Sequence, residues 1–193
     1  MNAKHVRQQL LESADLKRKV AEDPVLTAQV ARMAQIVFDA LKAGRRIYLC
    51  GNGGSAADSQ HLAAEFIGRF QKERAAWPAE ALSTNTSILT ALGNDYSFDI
   101  VFSRQVEAMV QSGDVLIGLT TSGNSPNIIK AVEAARAKGA KTLGLAGRDG
   151  GALKKACDEC FVVPAQATCR IQEVHIAVGH VICDLVESAM TSS

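Results

Sequence analysis

The sequence has almost no net charge, no long apolar run and no even set of cysteines, and each absence argues against a class of protein. With 21 basic and 20 acidic residues among 193, the net charge is +1, so the chain lacks the overall positive charge typical of nucleic-acid-binding proteins. No apolar run approaches the roughly 20 residues of a membrane-spanning helix, and the first residues lack the apolar core of a signal peptide. The five scattered cysteines argue against a disulfide framework and predict a cytoplasmic protein.

Strand-like and helix-like segments alternate from residue 45 onward, which indicates an α/β fold. Apolar runs such as Val-Leu-Ile-Gly-Leu at 115–119 predict strands buried on both faces, and the alternation predicts a doubly wound five-stranded parallel sheet flanked by helices. The predicted strands are 46–50, 79–82, 115–119, 142–146 and 159–163. The predicted helices are 55–70, 86–92, 99–109, 126–138, 151–156 and 170–190. The absence of a convincing linker predicts one domain over 45–193.

Two helical patterns precede the first predicted strand. Apolar residues recur at helical spacing from Val6 to Ala14, and a second, cleaner pattern begins at Asp23 and ends at Gly44. A compact α/β domain does not require this pair of helices. Residues 1–44 are therefore predicted to form a helical hairpin that serves oligomerisation rather than simply covering the sheet.

Two loops rich in glycine and hydroxyl residues each follow a predicted strand and open a predicted helix. The first, Cys50–Ser55, reads Cys-Gly-Asn-Gly-Gly-Ser, and the second, Thr120–Ser125, reads Thr-Thr-Ser-Gly-Asn-Ser. Four hydroxyls without a Lys or Arg, at a helix N-terminus, predict that the second loop binds a small phosphate monoester through neutral donors. The first loop has neither Rossmann nor P-loop spacing, so its glycines alone could simply allow a tight turn.

His61 and Glu65 lie four residues apart on the helix that follows the first loop. They are therefore about 40° apart around the helix axis and share one face. Arg69 continues the same stripe, so an alternative is a solvated helix face with a Glu–Arg pair. Because the helix begins at a glycine loop, the shared face could instead look into a ligand cleft.

Gln172 and His180 lie about two turns apart on the last predicted helix. Two His, one Glu and one Gln from two helices could coordinate a borderline divalent metal such as zinc. A His in an apolar stretch is also an ordinary core residue, and the sequence does not firmly rank His175 below His180 as the second imidazole.

The ordered set of motifs resembles one family over essentially the whole chain. These motifs are Cys-Gly-Asn-Gly-Gly-Ser, His-Leu-Ala-Ala-Glu-Phe, Gly-Asn-Asp at 93–95, Thr-Ser-Gly-Asn-Ser and Arg-Ile-Gln-Glu-Val-His. They are similar to the SIS-domain sugar isomerases and, within them, to the sedoheptulose 7-phosphate isomerases, also called phosphoheptose isomerases. The resemblance implies conversion of sedoheptulose 7-phosphate to D-glycero-D-manno-heptose 7-phosphate for the heptose of lipopolysaccharide and other surface glycans. It also implies a cytoplasmic homotetramer with one zinc ion per subunit and no nucleic-acid or membrane partner.

The resemblance assigns roles to residues that match the family motifs, with Glu65 and His180 as the acid–base pair of an enediol mechanism. The implied metal ligands are His61, Glu65, Gln172 and His180. The implied substrate-binding residues are Asn52, Gly53, Gly54, Ser55, Glu65, Asn94, Asp95, Thr120, Thr121, Ser122, Ser125 and Gln172. Cys169 departs from the family, in which some members carry an Asp, so no role of that carboxylate is transferred.

A second reading belongs to a different class of protein. A tetrameric relative uses the same scaffold without the isomerase chemistry, binds the bacterial replication initiator DnaA and promotes initiation. That relative lacks the acid–base pair, whereas Glu65 and His180 are both present here. A sugar-phosphate-sensing regulatory domain is a third reading, but no basic helix-turn-helix precedes the domain.

Overall fold

The computed structural model describes residues 2–192, in which five strands alternate with helices after two N-terminal helices. The strands are β1 Ile47–Gly51, β2 Ala79–Ala81, β3 Val115–Thr120, β4 Lys141–Gly147 and β5 Glu159–Val163. The helices are α1 Ala3–Glu22, α2 Pro24–Lys42, α3 Gly54–Ile67, α4 Thr86–Asp95, α5 Ser103–Met109, α6 Pro126–Ala137, α7 Leu153–Ala156 and α8 Thr168–Thr191, with a 3-10 turn at Phe98–Ile100.

All five strands are parallel and lie in the order β2-β1-β3-β4-β5. This confirms the predicted five-stranded parallel sheet flanked by helices. The strand order reverses between β1 and β3, and ligands of open α/β sheets bind at such a reversal, beyond the carboxyl ends of the strands. The two predicted ligand loops follow these two strands.

The sheet lies between two apolar cores, because its central strands are buried on both faces. Ile47 and Leu49 of β1 pack into one core with α2, α3 and α8. Tyr48 and Cys50 alternate with them and pack into the other core with α5 and α6. This arrangement explains why the central strands carry apolar runs instead of alternating with polar residues.

The two N-terminal helices differ in how deeply they are buried. Asp23 caps α2, with Oδ1 accepting from the N–H groups of Val25 and Leu26 at 2.9 and 3.1 Å. The α2 residues Met33 and Val37 are fully buried, so this helix covers one face of the sheet. In contrast, α1 contacts α2 and α8 and leaves several apolar side chains exposed.

The helix α3 ends three residues before the predicted boundary of 55–70. Ile67 is its last residue, and Gly68 follows as the C-cap. Arg69 therefore lies outside the helix, and its Nε pairs with Glu73 Oε1 at 2.8 Å. The predicted stripe of Glu65 and Arg69 on one helix face is therefore wrong, because the helix stops at Gly68 between them.

Among the described helices, α8 alone is long and apolar enough to cross a membrane by length and composition. Its apolar residues have another explanation, since α8 packs against α2 and α3 in the core of the domain. Ile171, Val174 and Ile182 are among its fully or almost fully buried side chains.

Candidate active site

Two histidines and a glutamate meet where α3 crosses α8. His61 Nε2 lies 3.2 Å from Glu65 Oε1 on α3 and 2.8 Å from His180 Nε2 on α8. Gly179 allows this close approach of the helices, because a Cβ at that position would lie 2.6 Å from two carbons of Leu62. The predicted pairing of the α3 face with His180 is therefore present in the structure.

These three residues fit a divalent cation. One ligand atom from each of His61, Glu65 and His180 lies within 4.8 Å of the other two. Two imidazole nitrogens and a carboxylate oxygen are a donor set typical of zinc. The fourth predicted ligand, Gln172, lies over the start of α3, where a Cβ on Gly54 would come 2.5 Å from its Nε2, and its place among the ligands stays a prediction.

Asp58 adds a second carboxylate to this region and was not among the site residues predicted from the sequence. It lies one turn before His61 on α3, and its Oδ2 is buried without a hydrogen-bond partner among the described residues. Burial raises the pKa of the Asp58 carboxyl, while the nearby His61 and His180 oppose the increase. The spacing of Asp58 from His61 is the signal that could have identified it.

Three hydroxyls of the second loop converge, and their predicted binding of a phosphate stays a prediction. Thr120 Oγ1 lies 2.8 Å from Ser125 Oγ and 3.3 Å from Ser122 Oγ. Ser125 immediately precedes α6, yet its side chain makes no capping hydrogen bond. Its hydroxyl instead faces the loop interior, at the positive end of the α6 dipole. Thr121 is half-buried in the same loop.

Gly123 is required by the shape of the second loop. It has φ +69°, and a Cβ there would collide with the backbone of Gly150 and Gly151. The loop after β4 is thus packed directly against the second loop. Asn124 Oδ1 joins the two loops by accepting from the N–H of Ala152 at 3.0 Å.

The first loop is joined to the second by a pair of amides. Asn52 Nδ2 donates to Asn127 Oδ1 and Asn127 Nδ2 donates to Asn52 Oδ1, each at 2.9 Å. Asn52 was predicted to bind substrate, whereas Asn127, which is buried in the first turn of α6, was not among the predicted site residues. Ser55 is also buried, whereas Gly53 and Gly54 are exposed.

Asn94 and Asp95 lie apart from these loops in the chain, at the end of α4. Both are exposed, and Asn94 Nδ2 donates to Asp95 Oδ1 at 2.8 Å. The described contacts of these side chains do not connect them to the His61 cluster. Their predicted contact with substrate stays a prediction.

His175 is a core residue, which resolves the choice between the two histidines of α8. It is fully buried, and its Nε2 lies 3.0 Å from the Ala146 carbonyl oxygen. Burial lowers the pKa of His175 to about 4, partly opposed by the hydrogen bond to Ala146. His180 is the histidine that faces His61.

The burial of His175 predicts that stability falls in mild acid. Between pH 6.5 and about 4 the unfolded chain protonates this imidazole and the folded chain does not, so the free energy of unfolding decreases as pH falls. We expect His175 to contribute about 2 kcal/mol to the decrease in the free energy of unfolding between pH 7 and pH 5. Urea unfolding at both pH values should show a smaller loss for His175→Gln than for wild type, and equal losses would contradict this account.

The chain is similar to known proteins in both sequence and structure. The sequence model of the SIS domain matches residues 11–147. A phosphoheptose isomerase from Nitratiruptor sp. is 52% identical over 185 residues, covering 96% of this chain and 98% of that protein. Another from Pelobacter propionicus is 55% identical over 183 residues, covering 94% of this chain and 95% of that protein. The structure of phosphoheptose isomerase from Neisseria gonorrhoeae has a TM-score of 0.90 and 42% identity, covering 96% of this chain and 98% of that one.

Proposed function

This chain belongs to the SIS-domain family and, within it, to the phosphoheptose isomerases, and we propose that its sedoheptulose 7-phosphate isomerase reaction proceeds through an enediol at Glu65 and His180. The observation that carries the mechanism is the meeting of His61, Glu65 and His180, the first two of which lie on the helix that follows the first loop, at the reversal of strand order. The DnaA-binding alternative is not favoured, because relatives about 50% identical over nearly the whole chain are named as isomerases.

The reaction moves one proton between carbons and one between oxygens. In our proposal the Glu65 carboxylate removes a proton from C1 of the ketose, which forms the enediol, and returns a proton to C2. His180 transfers the second proton, from the hydroxyl on C1 to the oxygen on C2. Glu65 Oε1 faces His61, so we assign Oε2 to the carbon-bound proton. The product is D-glycero-D-manno-heptose 7-phosphate.

We further propose that one zinc ion is held by His61, Glu65, Gln172 and His180. The convergence of His61, Glu65 and His180 supports this site. When bound, zinc would polarise the two substrate oxygens and stabilise negative charge on the enediol. Glu65 and His180 can transfer protons only through an atom that zinc would leave free, which is Oε2 for Glu65 and the ring nitrogen that does not bind the metal for His180.

The phosphate and the sugar are assigned to different parts of the site. We propose that Thr120, Thr121, Ser122 and Ser125 bind the phosphate, because three of these hydroxyls converge before α6. The sugar is assigned to the first loop, with Asn52, Gly53, Gly54 and Ser55, and to Asn94, Asp95 and Gln172. The product would supply heptose for lipopolysaccharide or other surface glycans in the cytoplasm.

We propose a homotetramer, in which residues 1–44 form much of the contact. The apolar side chains of Val6, Leu10 and Val25 are 58%, 67% and 71% exposed, which supports burial by another subunit. Val181 and Leu185 of α8 are also exposed apolar side chains. Light scattering should give four times the chain mass, and the mass of a monomer would contradict the proposal.

A turnover assay before and after chelation tests the function and the metal separately. Purified protein should convert sedoheptulose 7-phosphate, lose activity in a strong chelator and regain it with zinc. The variant His61→Ala, which removes a ligand but neither proposed proton-transfer group, should bind less zinc by elemental analysis. Absence of turnover at every zinc concentration would favour the DnaA-binding reading, whereas full activity with no bound metal would remove zinc from the mechanism.

A further inference from the structure

A single buried carboxylate holds the segment after α3 against α8. Glu187 Oε1 accepts from the N–H of Phe70 at 2.9 Å, and Oε2 accepts from the N–H groups of Gln71 and Lys72 at 2.6 and 2.8 Å. These successive N–H groups bind the carboxylate instead of continuing the helix. The helix has already ended at Gly68, and this contact holds the segment that follows it.

Arg74 completes the cluster, and its side chain is as buried as that of Glu187. Their side chains are 5% and 2% exposed, with Arg74 Nε 3.0 Å from Glu187 Oε1. The guanidinium lies 3.5 Å from the centre of the Trp77 ring and donates from Nη2 to the Glu65 carbonyl at 2.7 Å. Its Nη1 donates to the carbonyl groups of Phe66, Gly68 and Ala75.

This cluster reaches the proposed acid–base pair from two sides. Phe70, held by Glu187, places its ring 5.5 Å from the His180 ring, with 35° between the ring planes. Arg74 binds the backbone of Glu65 itself. Burial disfavours the Glu187 carboxylate, but three N–H groups and Arg74 outweigh it and lower its pKa to about 2. The Glu187 carboxylate therefore stays ionised at neutral pH.

We propose that Glu187 is a positioning residue for the isomerisation, acting through Phe70 on the orientation of His180, with Arg74 as its partner. The proposal rests on the proposed role of His180. The orienting contact is needed because His180 also faces His61 at 2.8 Å, so a rotation of its ring would change which group it can reach. Misplacement of a catalytic group by about 1 Å can cost about 100-fold in rate.

The test compares Glu187→Gln, Phe70→Leu and the double variant with a matched control. The control is Asp114→Asn, because Asp114 is also a buried carboxylate that accepts backbone N–H groups, from Arg46 and Gln111 at 2.9 and 2.8 Å. It immediately precedes β3 and so lies at the opposite end of the sheet from the site. Steady-state kinetics with sedoheptulose 7-phosphate and thermal unfolding are measured for all four variants.

We expect both single variants to lose about 10- to 100-fold in kcat with little change in KM, since the phosphate loop is not part of this cluster. The double variant should be no slower than the slower single variant, because the two changes interrupt one path. Asp114→Asn should lose thermal stability and keep its kcat.

The proposal is overturned if Glu187→Gln loses no more kcat than Asp114→Asn, or if the losses multiply in the double variant. If Glu187→Gln does not fold, Phe70→Leu decides, because it leaves the Glu187–Arg74 pair in place, and an unchanged kcat then overturns the proposal. A slow His180→Gln together with normal Phe70→Leu would refute the positioning role alone. A fully active His180→Gln would refute the proposed mechanism itself.

Discussion

Replacing Glu65 with Gln should lower kcat by about 10²- to 10⁴-fold, the usual contribution of a positioned proton-transfer group. The amide keeps the size of the side chain and can still accept a hydrogen bond from His61, but it cannot take a proton from C1. The side chain of Glu65 is 21% exposed, so the substitution should leave the fold intact, which circular dichroism would check. Near-normal turnover by Glu65→Gln would remove this residue as the base.

His180→Gln is the companion variant, and it should cause a loss of similar size. If both groups serve one proton-transfer step, the double variant should be little slower than either single variant. In deuterated water the wild-type product should acquire deuterium at C2, because a carboxylate exchanges its proton with solvent. Turnover without deuterium incorporation would favour a hydride shift, with Glu65 and His180 acting only as metal ligands.

The core of the fold was predictable because local patterns and tertiary packing agree there. The strands β1 and β3 are buried on both faces. Their apolar runs therefore predict them without any information about the elements that pack against them. The capped start of α2 at Asp23 follows from local hydrogen bonds. The pairing of α3 with α8 could be expected from the chemistry of His61 and His180, although their distance could not.

The rest depends on contacts between residues far apart in the chain. Gly68 marks the end of α3 locally, but the course of the segment after it is held by Glu187, more than 110 positions later. The amide pair of Asn52 and Asn127 likewise exists only once β1 and β3 are adjacent. Glu187 lies within an apolar helical stretch, and burial of a carboxylate there carries no local signal.

Replacing Ser122 and Ser125 together with Ala should raise KM for sedoheptulose 7-phosphate by about 10²- to 10⁴-fold. Each hydroxyl lost from a buried phosphate should cost about 1.5–3 kcal/mol, since hydrogen bonds to charged groups are the stronger ones. The loop has no Lys or Arg among residues 120–125 to compensate. We expect kcat to change less, because the phosphate is remote from C1 and C2 and its binding is similar in substrate and transition state.

A matched control separates phosphate binding from loss of a hydroxyl as such. Thr27→Ala removes an exposed hydroxyl that donates to the Asp23 carbonyl at 3.0 Å, at the start of α2, and should leave KM unchanged. The double Ser variant also removes both hydroxyl partners of Thr120, so its thermal unfolding should be measured alongside the kinetics. A stable double variant with unchanged KM would move the phosphate to the loop at 52–55, where α3 offers the other helix N-terminus at the reversal of strand order.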